Sequence, residues 1–137
     1  MENPVRSVLA VALGYLVMGA FVSLVILAGA SLVHGPPTAT YALTNLTISV
    51  FGAVLGGFVA GRLAPSRPLA HGIALGVLAF VLGAGYQVVR LLAKLDEAPG
   101  PEPVWYLLVL PAIALLACPI GGWMEQRRRA AAGGASD

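Results

Sequence analysis

Charged residues divide this chain of 137 residues into four long apolar runs, and that division fixes most of what it can become. Arg6 precedes the first run, and Arg62 and Arg67 separate the second from the third. Arg90, Lys94, Asp96, Glu97 and Glu102 separate the third from the fourth, and Glu125 with Arg127 to Arg129 follows the last. A helix needs roughly 20 apolar residues to cross about 30 Å of hydrocarbon. The runs 8–33, 41–63, 69–92 and 104–124 each meet that length. The sequence therefore predicts an all-α protein, an integral membrane bundle of four transmembrane helices. Composition agrees, with 58% hydrophobic and 10% charged residues against roughly 45–50% and 25% in a soluble domain. Residues 1–129 make one transmembrane domain, and 130–137, small and polar with Gly133 and Gly134, is expected to be a disordered cytoplasmic tail.

Ala28-Gly29-Ala30 before Ser31 has the look of a signal-peptide cleavage site behind an Arg-bearing start. Signal cores run about 7–15 residues, whereas no charge interrupts Val8 to Leu27, so the run is expected to remain as a span. Orientation follows Lys and Arg, acids counting for little. Arg6, Arg62, Arg67 and Arg127 to Arg129 lie on the side of the termini, and Arg90 and Lys94 on the other. Both termini are thus expected in the cytoplasm. The first external loop, 34–40, is short and uncharged, while the second, 93–103, carries the acids and Pro99, Pro101 and Pro103. Arg127 to Arg129 reads as an orientation signal, since a polybasic lipid site uses about four or more charges.

Small residues recur at helical spacing inside the middle runs: Asn45, Ser49, Gly52, Gly56 and Ala60 in the second, Gly72, Gly76, Ala79, Gly83 and Gln87 in the third. Lipid tails are as apolar as leucine, so helices in a bilayer gain by close backbone approach and van der Waals contact, which small side chains permit. Pro65 and Pro68 break the short connection between these runs, which makes them an antiparallel hairpin. Gly52, Gly56, Ala60, Gly72, Gly76 and Gly83 are the expected helix-packing residues, with the two stripes holding the second and third spans together.

The same hairpin sets a polar register. At 1.5 Å per residue Asn45 and Gln87 lie about 26 and 28 Å from the turn, and Arg90 stands one turn beyond Gln87. Buried amides need partners, so Asn45, Gln87 and Arg90 are expected to form a hydrogen-bonded cluster at the outer boundary. As helix–helix adhesion such bonds contribute about 0.6 kcal/mol each; the sharper alternative is a contact site for a solute or ion.

No catalytic, cofactor-binding or metal-binding residue is nominated. His34 and His71 sit near span ends with no acid or cysteine beside them, and a metal site needs three or four convergent ligands. Cys118, the single cysteine, falls on a line with Ala114 and Gly122 and reads as a small packing residue. Pro111 and Pro119 each remove a backbone donor from the fourth span and predict a bend. Asp96, Glu97, Glu102 and Glu125 read as loop or interface residues, not as a catalytic set.

Gly56-Gly57-Phe58 followed by Arg62 is similar to Gly121-Gly122-Trp123 followed by Arg127, and Ala20-Phe21-Val22 to Ala79-Phe80-Val81. A duplication of that kind would make the bundle two parallel helical hairpins. Over Gly56-Gly57-Phe58-Val59-Ala60-Gly61-Arg62-Leu63-Ala64, Pro68 and His71-Gly72 with Gly76, the chain resembles small, mostly uncharacterised bacterial four-span membrane proteins. Those have a Gly-Gly-aromatic-x-Ala-small-Arg helix end and a basic turn. The resemblance covers the hairpin alone; it implies the fold and a bacterial inner membrane, and carries no activity. Small multidrug transporters share the size and span count but rely on an acid in the first helix, and 8–33 has none.

The expected function is that of an accessory, assembly or scaffold component acting through helix packing, without enzyme activity or cofactor. Its partners are the lipid bilayer and either further copies of itself or another membrane protein, with no nucleic acid. The alternative is a subunit of an oligomeric small-solute or ion transporter or channel. Against it stands the absence of an ionisable residue deeper than a span end, since such residues mark membrane pathways.

Overall fold

A computed structural model describes residues 4–30, 39–93 and 104–133, without the side chains of 30, 39–41, 104 and 106–108. The described residues form four α-helices: α1 (Pro4–Ala30), α2 (Ala39–Leu63), α3 (Pro68–Ala93) and α4 (Val104–Gly133). All four are long and apolar enough to cross a membrane, and they pack as a bundle. Below, the terminal end of the bundle is the one bearing Pro4, the α2–α3 turn and Gly133; the distal end is opposite.

Helix limits depart from the expected spans where local chemistry extends them. α1 already includes Pro4, ahead of the expected Val8, and α3 starts at Pro68, where proline at the first helical position has its φ preset and lacks an N–H that would be unsatisfied there. α4 continues to Gly133, so 130–133 of the expected disordered tail are helical. Glu125 pairs with Arg128 and Arg129 one turn on, and the alanines that follow are strong helix formers. Residues 31–33 of the expected first span, His34 and the rest of the first loop to 38, the second loop from 94 to 103, and 134–137 lie outside the described residues.

The α2–α3 turn is tight. Ala64 N–H donates to Ala60 O at 3.0 Å, closing the end of α2. Arg67 then takes φ 46°, the left-handed region, at a position where the following proline crowds the right-handed helical conformation. Its carbonyl accepts from Ala70 N–H at 3.0 Å and His71 N–H at 3.4 Å, and His71 Nδ1 lies 3.2 Å from the same oxygen. Arg67 thus opens α3 through its backbone.

α2 lies between α1 and α4, with α3 packed along α4 and alongside α2. Among the described residues α1 and α4 make no close backbone approach, and α1 leans on α2 far more than on α3. Leu75 is fully buried, its Cδ2 set against Gly14 of α1 and Gly56 of α2, where the three helices meet. Because α1 stands off α3, a groove of about 490 Å³ runs between them at the terminal end, between Val8 and Val11 on one side and His71 and Ala74 on the other.

Candidate functional site

Each small-residue stripe lies against a helix other than its expected partner. A Cβ added to Gly52 would lie 2.6 Å from Val22 Cγ2, and one on Gly56 would lie 2.8 Å from both Gly14 O and Met18 Cβ. A Cβ on Gly14 would in turn stand 2.8 Å from Ala60 Cβ, so Gly52, Gly56 and Ala60 all face α1. On α3, a Cβ on Gly72 would be 2.8 Å from Cys118 O, one on Gly76 2.7 Å from Ala114 O, and one on Gly83 3.1 Å from Pro111 Cβ. Those three face α4. The expected stripe-on-stripe contact between α2 and α3 is therefore replaced by α2 on α1 and α3 on α4. Helical spacing marks where a backbone can come close, and carries no label for the helix that does so.

The closest approach joins residues that spacing did not single out. A Cβ on Gly57 would overlap the Cys118 carbonyl, and one on Gly121 would overlap Val54 O and Phe58 N. A Cβ on Gly61 would meet Gly122 Cα at 3.3 Å. The two Gly-Gly-aromatic segments, similar in sequence at an offset of 65 residues, are thus in contact, with α2 and α4 side by side and parallel. Cys118 and Gly122 are buried along that seam, and Ala114 is buried on α4 against Gly76 of α3.

Asn45, Gln87 and Arg90 do not close into the expected cluster. Asn45 Oδ1 and Gln87 Oε1 are buried and accept no hydrogen bond among the described residues. Any bond from one side chain of the trio to another would have to end on one of those two oxygens, since the Arg90 guanidinium only donates. Gln87 instead lines a cavity of about 320 Å³ reaching from mid-bundle toward the distal end. Ser23 of α1, Ser49 of α2 and Pro111 of α4 line it too, while Asn45, one turn from Ser49, does not. The Ser49 hydroxyl donates to Asn45 O at 2.8 Å. The cavity exists because α1 and α4 diverge across it.

At the terminal end, an acidic residue that looked interfacial is enclosed. Glu125 has no exposed surface. Arg128 grips it with Nε to Oε2 at 2.6 Å and Nη2 to Oε1 at 2.9 Å, and Arg129 Nε donates to Oε1 at 3.1 Å. Arg129 Nη2 then reaches the end of α2, donating to Gly61 O at 2.8 Å, Arg62 O at 2.9 Å and Ala64 O at 3.1 Å. The last carbonyls of a helix have no partner within it and form the negative end of its dipole. A guanidinium set there satisfies both. Arg127 lies over the Trp123 ring at 4.3 Å, so every member of the Arg triplet has a structural contact besides its bearing on orientation. The sequence signal was the Glu-x-x-Arg-Arg spacing on one helical face.

Among the described residues no three His, Cys, Asp or Glu side chains come together. Comparison of the chain with protein-family models, curated proteins and solved structures finds no match.

Proposed function

We propose that this four-span protein is an accessory, assembly or scaffold component of a membrane complex, acting through helix packing and not as an enzyme. The observation that carries the reading is the joined unit of α2, α3 and α4. Glycine-to-backbone contacts run along both faces of α4, and the Glu125–Arg129 pair ties the end of α4 to the end of α2. Such contacts give a fixed shape in a bilayer, which is what a partner helix reads. α1 joins that unit chiefly through α2 and is the least buried span, at 11% of its apolar window against 33% in α4. The partner, another membrane protein or a further copy, meets the free side of α1.

The same reading sets the protein in a bacterial inner membrane, on the resemblance read from the hairpin sequence alone. The excess of Arg at the terminal end supports cytoplasmic termini. Mild-detergent extracts of native membranes, resolved by native electrophoresis, test the function. The chain is expected in a particle much larger than its own 14.0 kDa, released by Leu16→Trp or Leu24→Trp on the open face of α1. A lone chain in such extracts, together with solute or ion flux from purified protein in liposomes, would favour the transporter reading. The cavity lined by all four helices is the feature that would then serve as its pathway.

A further inference from the structure

The groove between α1 and α3 is polar at one end only. Of the residues lining it, Ser7 and His71 are polar and stand at the terminal end, whereas Val8, Val11, Ala74 and Leu78 carry it inward as an aliphatic wall. Val8 and Leu78 are exposed, so the groove opens sideways onto lipid. α3 has 26 residues, about 39 Å of helix against about 30 Å of hydrocarbon, which sets His71 at the edge of the hydrocarbon. Charge gathers at the same place. Arg6 adjoins Ser7 on α1, and Arg67 stands one turn before His71, its carbonyl oxygen 3.2 Å from His71 Nδ1. Neither arginine has an ion pair among the described residues. Glu125, the one acid among those residues, is already held by Arg128 and Arg129.

From the graded lining and the two arginines at its mouth, we infer that the groove holds one acyl chain of an anionic phospholipid, with the phosphate between Arg6 and Arg67. Size separates a chain from a helix as the occupant. Ala70 to Leu78 spans about 12 Å along α3, over which a helix about 10 Å across would fill roughly 900 Å³. The groove holds about 490 Å³, too little for a helix, whereas an acyl chain is thin enough to lie in it. Long arginine side chains run along apolar surface and keep the guanidinium at headgroup level. One lipid seated this way needs fewer charges than a polybasic patch, because burial of its chain adds to the attraction. A zwitterionic lipid offers the same chain, but its own cation offsets its phosphate. The inference is independent of the packing role and holds whether or not the protein has a partner.

Full-length chain in detergent, titrated with phosphatidylglycerol or with phosphatidylcholine of the same acyl chains, provides the test, native mass spectrometry reading the first bound lipid. Phosphatidylglycerol is expected to bind about thirtyfold tighter, the scale of two basic side chains beside an anionic headgroup. Arg67→Gln, which keeps a Cβ at the turn, should cut the preference to about fivefold, and Arg6→Gln with Arg67→Gln should erase it. Arg127→Gln removes a charge from α4 at the same end and should leave the preference intact. Ala74→Phe and Ala12→Phe each fill the groove from an exposed wall position, and each should abolish tight binding of phosphatidylglycerol. Equal affinity for the two lipids, a preference that survives the double arginine change, or a preference that survives both Ala74→Phe and Ala12→Phe would each overturn the proposal, the last by showing attraction to surface charge alone.

Discussion

Arg129 and Gly61 stand 68 positions apart in the chain and 2.8 Å apart in the structure, the guanidinium Nη2 donating to the carbonyl oxygen. The same nitrogen reaches Arg62 O and Ala64 O, while Nε holds Glu125. One side chain thus closes the end of α2, fixes the terminal end of α4 and neutralises a buried carboxylate.

Arg129→Ala should lower stability in detergent by about 2 kcal/mol, the range of hydrogen bonds made by a charged donor. Thermal unfolding of the purified chain measures it. Arg129→Lys should restore only part of the loss, because an ammonium cannot fork between carboxylate and carbonyls. Arg128→Ala should cost less than Arg129→Ala, since the Arg128 side chain is 53% exposed and touches Glu125 alone among the contacts described above. A variant Arg129→Ala as stable as the parent would remove the latch from the account of the fold.

Gly57 and Gly121 separate from Gly19 and Gly85 in a second series. An added methyl at Gly57 or Gly121 meets the backbone of the opposite helix, whereas Gly19 and Gly85 have nothing within 4 Å of the same position. Gly57→Ala and Gly121→Ala should each cost about 1–3 kcal/mol, as overpacking does. Gly19→Ala and Gly85→Ala should be neutral or slightly stabilising, alanine being the better helix former. Equal melting temperatures across the four variants would mean that α2 and α4 do not approach as closely as the structure has them.

Span number and helical class were legible because both are set by one length, that of hydrocarbon, and by where charges interrupt apolar sequence. The partners of the stripes were not. α2 carries glycine on two faces, Gly56 toward α1 and Gly57 toward α4, and adjacent positions on a helix point about 100° apart. Spacing along one helix records each face but not the helix opposite. For the same reason, depth along the hairpin set Gln87 and Asn45 at one level without showing that the cavity admits Gln87 and not Asn45. The Glu125 pairings with Arg128 and Arg129 were readable one turn apart; the α2 carbonyls that complete the latch belong to a distant part of the chain.

Arg67 carries a local cost that a substitution can expose. A residue with a Cβ in the left-handed region costs roughly 1–2 kcal/mol, and Arg67 sits there at φ 46°. Arg67→Gly removes that cost but adds about 0.5–1 kcal/mol of chain entropy, so the variant should be as stable as the parent or slightly more so. Arg67→Val, whose branched side chain tolerates that region worst, should melt lower. A melt of Arg67→Gly well below that of the parent would show that the arginine side chain itself holds the turn.

The pairing of α3 with α4 in place of α2 is open to a covalent test at Gly83. A Cβ built there lies 3.1 Å from Pro111 Cβ, a few tenths of an ångström inside the 3.5–4.5 Å typical of disulfides. Gly83→Cys with Pro111→Cys should therefore oxidise within the chain, seen as loss of two hydrogens by intact mass and as a faster-migrating band before reduction. Cys118 is buried and offers no competing partner at the surface. The control is Gly83→Cys with Gly52→Cys, the pair that stripe-on-stripe packing of α2 and α3 would bring together. In the structure Gly52 instead meets Val22 and Phe21 of α1, so this pair should stay reduced under the same oxidant. Ready bonding of 52 to 83, with 83 and 111 remaining as thiols, would restore the hairpin packing read from the sequence and dismantle the cavity between α1 and α4, whose wall both Gly83 and Pro111 help to form.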